Sequence, residues 1–388
     1  MTSRSQQGDG GIAAATARYE SWLASRIPLV KADLELKHHA MTAGSFPFLR
    51  ATYYRWAERW SAIVGDAAVA PFALAVGDLH VENFGTWRDA EGRLIWGVND
   101  FDEAWPLPYT NDLIRLATSA LIAVGYHDLA TDPKRAVRAI LEGYEEAVHE
   151  GGRPFVLAEH HPALREMAIH RLHDPESFWD KLESFPTVKT VVPPVVMAAL
   201  RRALPERDLP TRIVHRTAGL GSLGRQRFVA IAPWRGGRVA REAKALAPSA
   251  CTLAPGAPLP LRSPGEIMRR AMRWAASGGG RKIYYQAILA RSVRCPDPCV
   301  AVNSAWLIRR LAPDCSRIAL NALPKKRAEE LLLQAMGWET ANIHLGSGSA
   351  RELRADLRRR RKHWLYDAAS RTADALEEDW REWRKTAP

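Results

Sequence analysis

Apolar side chains recur every three or four positions across residues 13–41, with Tyr19, Trp22, Leu23 and Ile27 on one face. This predicts a helix that Pro28 kinks or ends. Residues 46–63 keep the same period and predict a second helix rich in aromatics. The pattern then shortens. Residues 72–76 form a brief apolar run entering Gly77-Asp78, as a buried strand enters a loop. Residues 83–87 and 93–99 flank the turn-forming Asp89-Ala90-Glu91-Gly92 and predict a β-hairpin. Residues 109–150 and 156–203 read as mostly helical, with breaks at Gly151-Gly152 and Pro193-Pro194.

The character changes near residues 205–210. A Gly-rich turn, residues 227–231, a turn at Gly236-Gly237 and residues 238–244 predict a meander of short strands. Ser263-Pro264-Gly265-Glu266 has the form of a helix start, and residues 282–289, 305–311 and 316–319 are further strand candidates. The last 65 residues read as helical and strongly charged. The expected organisation is α+β and two-lobed: a helical lobe (1–204), a sheet-rich lobe (205–322), and C-terminal helices (323–388) returning to the helical lobe.

Composition narrows the partners. With 55 Lys and Arg against 43 Asp and Glu, the net charge is +12, which favours anionic ligands without choosing among them. The polar N-terminus lacks the apolar stretch of a signal peptide, and no apolar run reaches the roughly 20 residues that span a bilayer. A cytoplasmic location and no membrane partner are expected. Four cysteines do not suggest a disulfide framework. Cys295, Cys299 and Cys315 are close, but C-P-D-P-C matches no common zinc knuckle, so ordinary thiols are the better reading.

The densest chemistry lies between residues 77 and 102. Phosphoryl transfer from ATP needs a carboxylate to orient the attacking hydroxyl and oxygen ligands to hold magnesium against the phosphates. Asp78 is followed five positions later by Asn83, and Asp100 arrives 17 residues after Asn83, at the end of the hairpin. Asp78 is thus the candidate catalytic residue, and Asn83, Asp100 and Asp102 are candidate magnesium ligands. The competing reading is that Asp78 and Asn83 only satisfy turn backbone groups. His80 reads as loop-stabilising.

Residues 77–83 and 98–102 resemble the catalytic and metal loops of aminoglycoside- and choline-type kinases, which are similar to protein kinases in fold. The following Tyr109-Thr110-Asn111-Asp112-Leu113-Ile114-Arg115-Leu116-Ala117 resembles the helix start whose aspartate braces the catalytic loop in those enzymes, which makes Asp112 a brace by that match. The chain more closely resembles a bacterial family catalogued as domain of unknown function 2252, through Lys37-His38-His39-Ala40-Met41, Phe46-Pro47-Phe48-Leu49-Arg50, residues 77–102, residues 111–117 and a later stretch, 219–249. That family name carries no activity.

In the later stretch, Gly219, Gly221 and Gly224 give a G-x-G-x-x-G form that includes Ser222, and Lys244 follows 20 residues after Gly224. Kinases place such a loop between two strands over the phosphates, with a phosphate-binding lysine on a following strand. The alternative is a flexible hairpin and a surface lysine. Glu266 is a candidate partner for Lys244, or serves only as a cap. In kinases these elements precede the catalytic loop; here they follow it, which circular permutation would reconcile. Asp102 stands where protein kinases have Gly, and is either a second metal ligand or the true one.

The expected function is an ATP- and magnesium-dependent phosphotransferase with an unidentified acceptor. The same groups also suit nucleotidyl transfer or an inactive nucleotide-binding module. Arg50 fits a phosphate clamp and a core ion pair equally. The basic run at residues 357–364 reads as a solvated helix face, with nucleic-acid binding as its rival. Metal-dependent hydrolysis is disfavoured, because the histidines at 160, 161, 170 and 173 lack carboxylate companions.

Overall fold

A computed structural model describes residues 10–88, 92–126, 129–157, 161–169, 175–189, 191–253, 300–302, 306–314 and 328–386. Several expectations fall outside these residues: the helix start at 263–266 with Glu266, the strands at 282–289 and 316–319, Cys295, Cys299, Cys315, and the histidines at 160, 170 and 173. Within them the chain is α+β.

The first amphipathic stretch is two helices, α1 (Ile12–Ala24) and α2 (Lys31–Ala43), separated around Pro28. The single helix expected over 46–63 is also two, α3 (Ser45–Ala51) and α4 (Tyr53–Val64). Thr52 breaks it, at φ −119° and ψ 36°. Its hydroxyl donates to the Phe48 carbonyl at 2.7 Å, drawing that acceptor away from a straight helical ladder.

Next come β1 (Phe72–Ala75), the predicted hairpin β2 (Phe84–Arg88) and β3 (Leu94–Val98), and β4 (Trp105–Pro108). β1 pairs with β4, while β3 lies between β2 and the short β5 (Phe155–Val156). Helix α5 (Thr110–Gly125) runs through the core, with Asp112, Leu113, Ile114, Arg115, Leu116 and Ala117 all buried. Against it packs α6 (Pro133–Glu150), which opens on an Asp132 side-chain cap with Pro133 in its first turn. α7 (Pro162–Ile169), α8 (Pro175–Glu183) and α9 (Pro194–Ala203) follow.

The second sheet is antiparallel in the order β6-β7-β8-β10-β9, with β6 (Arg212–His215), β7 (Arg227–Trp234), β8 (Gly237–Ala245), β9 (Val300–Val302) and β10 (Trp306–Leu311). The β7–β8 turn is Arg235-Gly236, both at positive φ, and Gly237 already pairs with Trp234. It sits one residue earlier than Gly236-Gly237, in the two-residue form that matches strand twist. One sheet face carries Phe228, Ala230, Ala243 and Ile308 against α9. The other changes along its length: Val229, Ile231, Ala240 and Leu311 pack beside Leu182 of α8, whereas Arg227, Glu242, Lys244 and Arg309 occupy the same face nearer the loops.

The C-terminal helices α10 (Ala328–Leu345), α11 (Ala350–Leu357) and α12 (Trp364–Thr386) pack back onto elements from the first half. α10 crosses α6 at two glycines. A Cβ on Gly143 would lie 1.9 Å from the Gln334 carbonyl oxygen, and one on Gly337 would lie 1.9 Å from that of Ile140. Only hydrogen fits at this crossing. No helix among the described residues is long and apolar enough to cross a membrane.

Two stability predictions follow from this packing. Gly337→Val forces α10 off α6 and is expected to cost about 3 kcal/mol, measured by urea denaturation. The sheet also meets α2 through His215, whose Nε2 lies 3.0 Å from Asp33 Oδ2. This hydrogen bond raises the His215 pKa, against the lowering effect of burial. Because the folded value is the higher one, the contribution is complete below the unfolded pKa of about 6.5 and is lost as pH rises through the folded value. His215→Gln should therefore lower the denaturation midpoint at about pH 5.5 and match wild type near about pH 9.

Candidate active site

Helix α5 presents Asp112, Arg115 and Ser119 at three- and four-residue intervals, so all three share one face. That face holds the loop after β1 in sequence order. The Asp112 carboxylate accepts from the backbone N–H of Val76 at 2.6 Å and of Gly77 at 3.0 Å. Arg115 donates to Asp78 Oδ1 from Nε at 3.1 Å and Nη2 at 2.5 Å. The Ser119 hydroxyl accepts from Val81 N at 3.0 Å. Gly77 has no alternative here, since a Cβ would lie 2.3 Å from the Glu103 carbonyl oxygen.

Asp112 is 0% exposed. His344 of α10 lies 3.1 Å from its Oδ2, and the other ring nitrogen of His344 meets the Tyr144 hydroxyl at 2.9 Å. Arg115 is equally fixed, with its guanidinium 5.0 Å from both the Tyr53 and Trp56 ring centres and a further bond to the Leu49 carbonyl. Burial raises the Asp78 pKa, while Arg115 and Arg50 oppose it.

The side-chain amide of Asn83 joins this loop to the one after β3. It donates to the backbone carbonyls of Asp78 (3.2 Å) and Asp100 (3.1 Å), and its oxygen accepts from Asp100 N at 3.1 Å. His80 Nδ1 accepts from Glu82 N at 3.2 Å, a loop-stabilising contact. Arg50 pairs with Glu82 at 2.5 Å, which favours the ion-pair reading of that arginine.

Lys244, 1% exposed at its side chain, places its ammonium 2.8 Å from Asp100 Oδ2 and against Asp102. Burial would raise the Asp100 pKa, but Lys244 holds it below the ordinary carboxylate range. Asp102 moves upward through burial and the neighbouring Asp100 charge. Arg225 reaches Asp102 at 3.3 Å and Glu103 at 3.1 Å. Burial pushes the Glu103 carboxyl up to about 7 despite that arginine.

The Gly-rich turn lies between β6 and β7, and Arg227 of β7 is the register partner of Lys244 on β8. Its three glycines face different neighbours. A Cβ on Gly221 would be 3.2 Å from Asp78 Oδ2, one on Gly219 would be 2.9 Å from the Arg227 guanidinium, and one on Gly224 would be 2.4 Å from Leu34 of α2. Ser222 Oγ accepts from Arg227 at 2.5 Å. Asp78, Asn83, Asp100, Asp102, Gly219, Gly221 and Ser222 all line one cleft of about 580 Å³; Gly224 does not, and Lys244 is buried behind Asp100 and Asp102. That volume lies in the range of small-molecule sites.

The oxygens that could hold a cation at the base of this cleft also contact Lys244, on both carboxylates, and Asp100 N, on the Asn83 amide. Asp102 Oδ1 is buried without a hydrogen-bond partner, Asp100 stands beside it, and Asn83 offers an amide oxygen. Among the described residues no group of three or more His, Cys, Asp or Glu side chains is placed to hold a metal ion. Magnesium is usually held by one or two carboxylates, with substrate phosphates and water completing its shell.

Sequence reasoning did not assign Arg225 and Glu103 to the cleft, or Arg115 and Glu242 to the buried layer behind it. Two of these had a signal. Arg115 lies three residues after Asp112 on a helix, and Glu242 lies two before Lys244 on a strand, so each shares a face with an assigned residue. Of the four cysteines, Cys251 falls in the described residues; it is buried and free, with burial pushing its thiol up to about 11. In the basic C-terminal run, Arg360 is used internally, on Asp356 and the Tyr109 hydroxyl, while Arg358, Arg359, Arg361 and Lys362 are exposed.

Asp112→Ala should destabilise the fold by about 3 kcal/mol or more, because two backbone N–H groups and His344 lose a buried charged partner. Denaturant titration checks this, with Asp112→Asn expected to cost less.

No curated protein and no solved structure matches the chain. Residues 29–176, which carry α2 to α5 and both loops but stop short of the sheet bearing Lys244 and of the 219–249 stretch, match the model of a family described as an uncharacterized protein conserved in bacteria, DUF2252.

Proposed function

We propose that this protein is an ATP- and magnesium-dependent phosphotransferase with a kinase-like, two-lobed architecture in permuted order, acting on a hydroxyl of a small molecule or protein. The observation that carries this reading is convergence: two loops separated by a hairpin meet a Gly-rich turn from a different sheet in one cleft, and a buried lysine of that sheet bonds to the second loop from behind. Permutation of chain order leaves that meeting point intact, because both sets of elements reach the cleft from their own sides.

In this reading the acceptor hydroxyl approaches Asp78. Arg115 occupies Oδ1, so the proton of the attacking hydroxyl passes to Oδ2. The raised Asp78 pKa brings the carboxylate closer to the range where a general base works near neutrality. Asn83, Asp100 and Asp102 would hold the metal, whose role is to neutralise charge on the transferring phosphoryl group. Lys244, the backbone N–H groups of Gly219, Leu220 and Gly221, and the Ser222 hydroxyl would hold the phosphates. Gly221 faces Asp78, where a side chain would crowd Oδ2, and the Asp78 carboxylate stays 21% exposed to the cleft.

The test is incubation of the full chain with ATP, magnesium and a metabolite extract, with products resolved by mass. A phosphorylated product is expected, with the rate falling about a hundredfold to ten-thousandfold in Asp78→Asn, the range set by loss of a general base. Absence of product from wild type, or an undiminished rate in Asp78→Asn, would overturn the reading. Addition of AMP in place of phosphate would point to nucleotidyl transfer instead.

A further inference from the structure

Most cations around the cleft have carboxylates of their own. Lys244 sits on Asp100 and Asp102, Arg225 on Asp102 and Glu103, Arg115 on Asp78, and Arg50 on Glu82. The arginines flanking the Gly-rich turn are arranged differently. Arg216, immediately before it, reaches Glu242 Oε1 at 2.6 Å, and Arg227, immediately after it, reaches both oxygens of the same carboxylate at 3.3 Å. Arg309 of β10 also contacts Glu242, at 2.7 Å. Arg216 and Arg227 alone carry two positive charges against the single negative charge of Glu242.

Glu242 is 0% exposed, and Arg227 is 3% exposed with its Nε buried and lacking a hydrogen-bond partner. Like charges held this close in a poorly solvated wall repel, and the repulsion is relieved by an anion. Burial lowers the Arg216 pKa, and the neighbouring Arg309 and Arg227 charges add to that effect against the pull of Glu242. Arg216 and Arg227 both line the cleft, and the Arg216 side chain is 22% exposed there. A guanidinium fork matches the oxygens of a phosphate.

We infer that Arg216 and Arg227, anchored on Glu242, form a phosphate-binding subsite beside Lys244 with its own counter-charge. This rests on the phosphotransferase reading of the cleft, and it adds the chemical group that the second position takes. The phosphate belongs either to the tail of the nucleotide or to an acceptor that is itself phosphorylated. Glu242 draws the two guanidinium groups together, since both donate to its Oε1.

The test is calorimetric titration of the full chain, wild type and Arg216→Gln, in two arms. In the first arm the probe is the magnesium complex of a non-hydrolysable ATP analogue. In the second it is inorganic phosphate, added with that analogue already saturating. Loss of one charged hydrogen-bond donor corresponds to about a tenfold weakening. Such weakening in the first arm places the nucleotide tail at Arg216. Weakening confined to the second arm places an acceptor phosphate there. Equal affinities for wild type and Arg216→Gln in both arms, or no binding of either probe by wild type, overturn the inference.

Arg216→Lys keeps a charge without the fork and should recover part of the affinity. A variant with an unchanged melting temperature separates lost binding from lost folding. Binding requires no turnover, so a protein that binds phosphate through Arg216 but transfers nothing keeps this subsite and loses the phosphotransferase reading.

Discussion

One face of a single buried helix sets the geometry of the whole cleft. Asp112, Arg115 and Ser119 read the loop 76–81 much as a template reads a strand, each taking the next available polar group. A loop of this kind contains polar backbone that must be satisfied away from water, and a helix offers fixed intervals at which to do it. The other parts of the site are positioned relative to that loop. Asn83 carries the registration to Asp100, and Lys244 locks onto Asp100 from the opposite sheet.

Electrostatics then explains why so many charges tolerate partial burial. The acids of the cleft are countered by arginine or lysine, and their proton affinities diverge accordingly. Asp100 is held low, while Asp78, Asp102 and Glu103 are driven up by desolvation that their partners only partly offset. Neighbouring carboxylates with opposed shifts are a common property of sites that handle protons and cations. The sheet shows the same division of labour, with its α9-facing side apolar and its opposite side grading from packing residues to charge.

Much of this was legible in the sequence because it is local. The hairpin between Asn83 and Asn99 announces itself through alternation and a turn cluster, and the β6–β7 connection through its glycines. Asp112 was assigned as a brace by resemblance, and its hydrogen bonds agree. What local pattern could not supply was pairing across the chain. Nothing within ten residues of Arg115 says that it grips Asp78, and nothing near Glu242 says that arginines from three segments converge on it. The division of residues 46–63 escaped notice for a different reason: Thr52 is an acceptable helix residue until its hydroxyl competes for a carbonyl of the preceding turn. Long-range partners are a property of the fold, so sequence adjacency carries little trace of them.

The glycine crossing between α6 and α10 has a temporal consequence. His344, the residue that completes the shell around Asp112, belongs to α10, and α10 can dock only where Gly143 and Gly337 let two backbones touch. A nascent chain has already made both loops long before residue 344 leaves the ribosome. The contact between His344 and Asp112 therefore forms only after residue 344 has emerged, and a polypeptide released before that point holds Asp78, Asn83 and Asp100 without the clasp that sets them.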